Sequence, residues 1–397
     1  MSLIRYKPVP SDRMAAMWTL AQVQDAVILD YGPYGTTIFT KRKIGNMGVD
    51  TGGIVSTHLA EQDIIMGDVT ALENALRTID QERRPPLIIV VPSTILLATG
   101  ADIPGVCHYM REELDAELLC YGGQNSDGDY TKGLRASYTL LLQRLCGKRS
   151  DPVPLSCNLL GLSAHTASSQ RDGEEISSLM QRAFGAKTIL SLGMPCRVSD
   201  FRDAGRAAVN IVLRGEALDA AQWMEAEFGT PYVYLPPYGY AGTERFLSAV
   251  GEKLGISPDR ALMEELRSRA AQSAALRRTK PLFLLGDYDL AAGLIGFAGD
   301  LGIPVAGAYC EHEPFPDEPT PENVFFCEKE RDWLDPLKAQ HGVLIVGDER
   351  IGYAAPKDNE LWIVSSGELA PRDADRGPLM GLSGADRFIQ RYDGTRR

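Results

Sequence analysis

Short apolar runs closed by glycine, proline or hydroxyl residues alternate along this chain with longer segments whose apolar residues recur every three or four positions. Ala26-Val-Ile-Leu-Asp30 and Pro86-Leu-Ile-Ile-Val-Val91 are runs of the first kind. A parallel strand covered on both faces reads as such a continuous run, so both are expected as buried strands. Helices are expected between or after them at 73–79 and 110–119. The rhythm continues with strands at 155–160 and 187–192 around a helix at 174–184, where Ile176, Leu179, Met180 and Ala183 approximate one face and Gly185 ends the last turn. A strand at 232–235 then leads to a helix at 243–254, with Thr243 as its cap and Gly255 as its stop. Ser257-Pro258 opens a connector helix expected to reach Leu276, since proline suits a first helical turn. Four further strands are expected at 281–286, 304–306, 323–327 and 343–347. Strands alternating with helices predict an α/β protein with mainly parallel sheets. The simplest division is three Rossmann-like domains at 1–150, 151–279 and 280–397, with terminal helices free to pack against a domain distant in sequence.

Composition narrows the function classes. The chain has 397 residues, 44% of them apolar, enough for two or three sizeable cores. Its formal charge of -12 opposes a nucleic-acid backbone, which is bound by neutralising phosphates. The run Lys41-Arg42-Lys43 reads as a solvated loop or docking edge. No run of about twenty apolar residues could cross a bilayer, and Met1-Ser2-Leu3-Ile4-Arg5 lacks a secretory apolar core, so a cytoplasmic location is expected. Seven cysteines without regular spacing imply no disulfide framework.

Several segments resemble one family. Asp63-Ile-Ile-Met-Gly67, Asn158-Leu-Leu-Gly161, Val209-Asn-Ile-Val212, Phe228-Gly-Thr-Pro-Tyr232, Pro236-Pro-Tyr-Gly239, Leu301-Gly-Ile-Pro304 and Pro378-Leu-Met-Gly-Leu-Ser-Gly384 follow one another in its order. The chain from about 25 to 392 resembles the nitrogenase component 1 type oxidoreductases, which include the nitrogenase catalytic component and the dark-operative protochlorophyllide and chlorophyllide reductases. The resemblance implies three Rossmann-like domains, a paired or larger oligomer, and a separate ATP-dependent iron–sulfur reductase as partner. The chain itself has no Walker A lysine motif.

In this family loop cysteines hold an iron–sulfur cluster near a subunit interface. Where a loop ending Gly-Pro-x-Gly-Cys is usual, this chain has Gly32-Pro33-Tyr34-Gly35-Thr36; a second cysteine position holds Thr94, and no cysteine occupies 13–17. A hydroxyl is a poor iron ligand beside a soft thiolate. An ordinary eight-iron cluster is therefore not expected. Nor is an iron–molybdenum cofactor, because Asn210-Ile-Val-Leu-Arg214 offers no cysteine and no matching histidine is found. An iron–sulfur cluster would need atypical ligands from Cys107, Cys120, Cys157 or Cys196, or ligands from a partner. Of these, Cys107 reads as a helix-surface or helix-start residue, Cys120 and Cys157 as packed cysteines, and Cys196 as a packed cysteine first, with a loop thiolate beside Arg197 as the alternative. Cys310, His312, Cys327 and His341 have zinc-ligand chemistry but not the spacing of a compact motif, and His58 and His165 lack local partners that would mark a base. Thr36 and Thr94 are expected to line the vacated cluster region, with Tyr31, Tyr34, Cys120 and Tyr121 as further candidates for cofactor binding. No catalytic residue is assigned. Two functions remain open: reduction of a bulky organic or tetrapyrrole-like substrate, or a cluster-free role as cofactor carrier, assembly protein or structural partner.

Overall fold

The computed structural model describes residues 10–67, 69–122, 129–147, 152–314, 320–365 and 375–394. The first residues of the chain and the expected boundary at 150/151 lie outside these. The strands form three separate sheets, and every pairing between them is parallel.

In the first sheet β1 (Ala26–Tyr31), β2 (Ile54–Ser56), β3 (Leu87–Pro92) and β4 (Glu117–Cys120) lie in the order β2-β1-β3-β4. The two central strands are the continuous apolar runs of the sequence, and every residue of both is buried. Helix α1 (Asp12–Leu20) precedes the sheet. α2 (Tyr34–Asn46), α3 (Glu61–Met66) and the pair α4 (Thr70–Arg83) and α5 (Thr94–Thr99) come from its connections, followed by α6 (Ile103–Met110) and α7 (Tyr130–Leu145). The expected helix at 110–119 is incorrect: α6 ends at Met110 and the segment instead supplies β4, paired in register with β3. Partners in the sheet override a local spacing compatible with helix.

The second sheet holds β5 (Ser156–Leu160), β6 (Lys187–Ser191), β7 (Val209–Val212) and β8 (Tyr232–Tyr234) in the order β6-β5-β7-β8. Its helices are α8 (Ser169–Phe184), α9 (Val198–Ala204), α10 (Leu218–Phe228), α11 (Gly239–Leu254) and α12 (Arg260–Ala274). Gly185 and Gly255 end their helices in the left-handed conformation, as expected. Thr243 does not cap α11, which begins a turn earlier at Gly239; its hydroxyl donates to the Gly239 carbonyl at 2.7 Å. The start of α12 also differs, because Asp259 accepts from the Leu262 amide and caps the helix after Pro258.

The third sheet comprises β9 (Leu282–Gly286), β10 (Val305–Cys310), β11 (Val324–Phe326), β12 (Leu344–Asp348) and β13 (Glu360–Ser365), in the order β11-β10-β9-β12-β13. α13 (Tyr288–Asp300), α14 (Glu330–Lys338), α15 (Arg350–Ala354) and α16 (Gly381–Tyr392) complete the described elements. Of the two terminal helices, α16 packs against a unit distant in sequence, whereas the main helical neighbour of α1 belongs to its own expected unit. α1 lies along α7, and α16 returns to α8 and α11 of the middle sheet, where Ala385 and Phe388 share a core with Ile176 and Phe246. Among the described residues no helix is long and apolar enough to cross a membrane.

Candidate functional site

Two places gather chemistry at the carboxyl ends of strands, where open α/β sheets usually place their sites. The first is the edge of the first sheet. β1 ends at Tyr31 and the chain turns through Gly32 and Pro33 into α2, whereas β3 ends at Pro92 and turns through Ser93 into α5. The two loops touch. The Ser93 amide donates to the Tyr31 carbonyl at 2.8 Å, and a Cβ on Gly32 would sit 2.7 Å from that of Ser93, so only glycine permits the approach. Thr36 lies half-buried in the first turn of α2, and Thr94 is exposed as the first residue of α5. Tyr34 stacks on His58 with ring centroids 4.7 Å apart.

Beneath these loops the space is filled by charge. Arg13, within the 13–17 segment that lacks the family's cysteine, is buried and pairs with buried Asp30; its Nε donates to the Pro92 carbonyl at 2.8 Å. Burial raises the Asp30 carboxyl pKa, and Arg13 opposes that rise. Buried Tyr31 and Tyr121 flank the region, and among the described residues the Tyr121 hydroxyl has no hydrogen-bond partner. Burial pushes the Tyr121 phenol well up, so it stays protonated. Arg13 was not singled out in the sequence, although a cation within the segment where the resemblance expects a cysteine was the available signal.

The thiols do not compensate for the missing ligands. Cys107 is buried in a core rather than lying on a helix surface, and it shares a hydrogen bond with half-buried Cys120. That bond lowers the Cys120 pKa and raises that of Cys107. Cys196 is a packed cysteine, not the alternative thiolate beside Arg197: it is buried, and desolvation pushes it up to about 12, as it does Cys157. Cys310 is buried on β10, and His341 pairs with Asp358 at 2.9 Å. His165 is buried and stacks on Trp18. Among the described residues no three His, Cys, Asp or Glu side chains are placed to hold a metal ion. One accessible thiol among threonines and an Arg–Asp pair does not fit a cluster that needs several thiolates.

The second place lies between the three sheets, and no spacing motif in the sequence marks it. Arg214 follows β7, Asp287 follows β9, Glu311 follows β10, and Asp348 ends β12. Arg214 lies 3.3 Å from Asp287 and 3.4 Å from Glu216. Arg350 makes paired contacts with Asp348, reaches Glu311 at 2.5 Å, and stacks its guanidinium over Trp333. All except the half-buried Glu311 are buried. Two arginines thus face Asp287, Asp289, Glu216, Glu311 and Asp348. Burial works against ionisation of Asp287, but Arg214 holds its carboxyl below the usual range. Asp289 accepts from the Tyr234 hydroxyl at 2.5 Å and the Gly215 amide at 2.9 Å, yet burial and then Glu216 raise it to about 7. The open volume at this centre, bounded by Trp18, Tyr130 and His165 among others, is about 30 Å³. That holds a water or two, against roughly 300–1,000 Å³ for an ordinary ligand pocket.

Asp289 gives a pH test. An unfolded aspartate titrates at about 3.9. Because the fold raises that value, the contribution is fully present below about pH 3.9 and is lost as the pH rises through about 7. Asp289→Asn is expected to flatten stability between about pH 4 and 8, read as urea midpoints across that window; an unchanged slope would assign the dependence elsewhere.

Three parallel sheets with their helices, meeting at a shared polar centre and carrying a second set of loops at one sheet edge, define a Rossmann-like α/β class. The model of the nitrogenase component 1 type oxidoreductases matches residues 11–395, and the chain belongs to that family. It is 26% identical over 241 residues to the nitrogenase iron–molybdenum cofactor biosynthesis protein NifE of Clostridium pasteurianum, covering 59% of this chain and 52% of that protein. It is 27% identical over 299 residues to a subunit of the light-independent protochlorophyllide reductase of Synechococcus sp. (strain JA-2-3B'a(2-13)), covering 65% of this chain and 56% of the relative. These matches span little more than half the length of either relative. A solved structure described as nitrogenase Cp1 at pH 6.5 superposes with a TM-score of 0.79 at 16% identity, over 99% of this chain and 93% of that one, which shows the fold.

Proposed function

We propose that this chain is a cluster-free subunit of a nitrogenase-like assembly, acting as an assembly or structural partner through the edge of its first sheet. One observation carries the reading. The three helices that follow β1, β2 and β3 expose Tyr34, Ile38 and Phe39 on α2, Ile65 and Met66 on α3, and Ile95 and Leu97 on α5. Ile65 and Met66 are 81% and 80% exposed. Scattered surface leucines need no explanation, but apolar side chains gathered at one edge mark an interaction face. The occupant is a second subunit of this fold, which fits the membership of the family.

The donor set supports the cluster-free part. Thr36, Thr94 and the segment from Arg13 bring no thiol to the positions where the resemblance expects cysteines, and the open volume at the interdomain centre, about 30 Å³, has no room for a macrocycle. Reduction of a bulky organic substrate with electrons from an ATP-dependent iron–sulfur partner is therefore the weaker of the two readings.

Sedimentation velocity across a wide concentration range tests the pairing. Self-association is expected, and Ile65→Asp with Ile95→Asp is expected to weaken it at least ~100-fold, since like charges at the centre of an interface remove apolar contact and bury unpaired ions. A strictly monomeric chain throughout would overturn the pairing. Anaerobic preparation with iron and sulfide analysis tests the rest: stoichiometric multinuclear iron bonded to this chain would overturn the cluster-free assignment.

A further inference from the structure

A cleft opens between α11 of the middle unit and α13 of the third. Two glycines shape its walls. A Cβ on Gly293 would meet the Tyr238 ring at 2.0 Å, and one on Gly239 would meet the Phe297 ring at 2.3 Å. Without side chains there, each aromatic ring lies directly against the backbone of the opposite helix. Two other glycines leave space instead. Nothing lies within 4 Å of a Cβ built on Gly296, and the nearest atoms to one on Gly242 are 3.9 Å away. The result is an open volume of about 270 Å³, bordered by Tyr238, Tyr288 and Phe297. That is the lower end of ligand pockets and suits a flat molecule of one or two rings.

The polar groups are segregated. At the inner end, the Asp289 carboxylate already accepts from the Tyr234 hydroxyl and the Gly215 amide. At the mouth stands the exposed guanidinium of Arg245, whose charge also acts on Asp300. An apolar aromatic body fits the walls, and a negative group fits the mouth.

We propose that this cleft binds a small planar aromatic carboxylate, its ring between the aromatic walls and its carboxylate on Arg245. The site is separate from the proposed pairing face and does not depend on it. Titration calorimetry of the full chain with 2-naphthoate is the test. Binding is expected with a dissociation constant of about 1 mM, typical of a ligand with few heavy atoms. Gly296→Leu fills the cleft and is expected to weaken binding more than ~10-fold, whereas Gly299→Leu, on the same helix but outside the cleft, is expected to leave it unchanged within about two-fold. Arg245→Gln is expected to weaken binding roughly ten-fold through loss of a charge-assisted hydrogen bond, and naphthalene-2-methanol should be weaker than 2-naphthoate by a similar factor. Circular dichroism confirms that each variant is folded. Absence of binding, binding undiminished in folded Gly296→Leu, or a preference for 2-naphthylmethylammonium would each overturn the proposal. The last would place recognition on Asp289 instead. None of these outcomes bears on the oligomeric state, so failure here is distinguishable from failure of the pairing.

Discussion

Arg350→Met is expected to lower the unfolding free energy by about 3–5 kcal/mol, the usual cost of removing one partner from a buried ion pair. Methionine fills much of the arginine's volume, so the loss reports charge more than packing. In its place Asp348 and half-buried Glu311 would face one another uncompensated between strands of the third sheet. Burial disfavours the charged guanidinium, but Asp348 and Glu311 more than offset it and raise its pKa. Arg350→Lys is expected to fall between the two, since an ammonium keeps the charge but cannot reproduce the fork that meets both Asp348 oxygens and Glu311. Urea unfolding followed by far-ultraviolet circular dichroism measures both. A methionine variant within about 1 kcal/mol of the parent would show that the centre contributes little to holding the third sheet.

The second large effect is expected from a single methyl group. Helix α1 crosses α7 so closely that a Cβ on Gly133 would lie 1.9 Å from the Asp12 carbonyl oxygen, with the Asp12 carbonyl carbon and Cα next nearest. All three obstacles are backbone, so no side chain can swing away. Gly133→Ala must separate the helices, and a loss of about 3 kcal/mol is expected, the upper part of the range for overpacking. Gly299→Ala is the control. It is an exposed helical glycine with nothing within 4 Å of its new Cβ, and it should gain about 0.5–1 kcal/mol by restricting the unfolded chain. If both variants shifted the melting temperature upward, the close crossing would be wrong.

Runs such as 86–91 were legible because a strand buried on both faces has nowhere to put a polar residue. The strand β4 was not, because its four residues follow a segment whose spacing also suits a helix, and the register with β3 decides the matter. β13 was passed over although Leu361, Trp362, Ile363 and Val364 favour extended structure. At the candidate site, the threonines in place of cysteines were plain from the loops. The Arg13–Asp30 pair was not, since a salt bridge between residues in α1 and β1 has no periodic signature. The interdomain centre had a usable signal: Asp287 and Glu311 directly follow strands, Arg214 lies two residues beyond one, and Asp348 ends one. Charged residues at the carboxyl ends of successive parallel strands converge wherever the sheets face one another.

The return of α16 to the middle unit has a consequence for biosynthesis. Ala385, Phe388 and Tyr392 belong to the same core as Ile176, Leu179 and Phe246, so that core lacks one wall until the last described helix has left the ribosome. Domains usually fold in order of synthesis. Here one face of the first unit waits for the middle one, since Ile28 and Ile89 share a core with Leu190, Val212 and Met224, and the middle one waits for the third; during that interval it carries an uncovered apolar surface of the kind that chaperones hold.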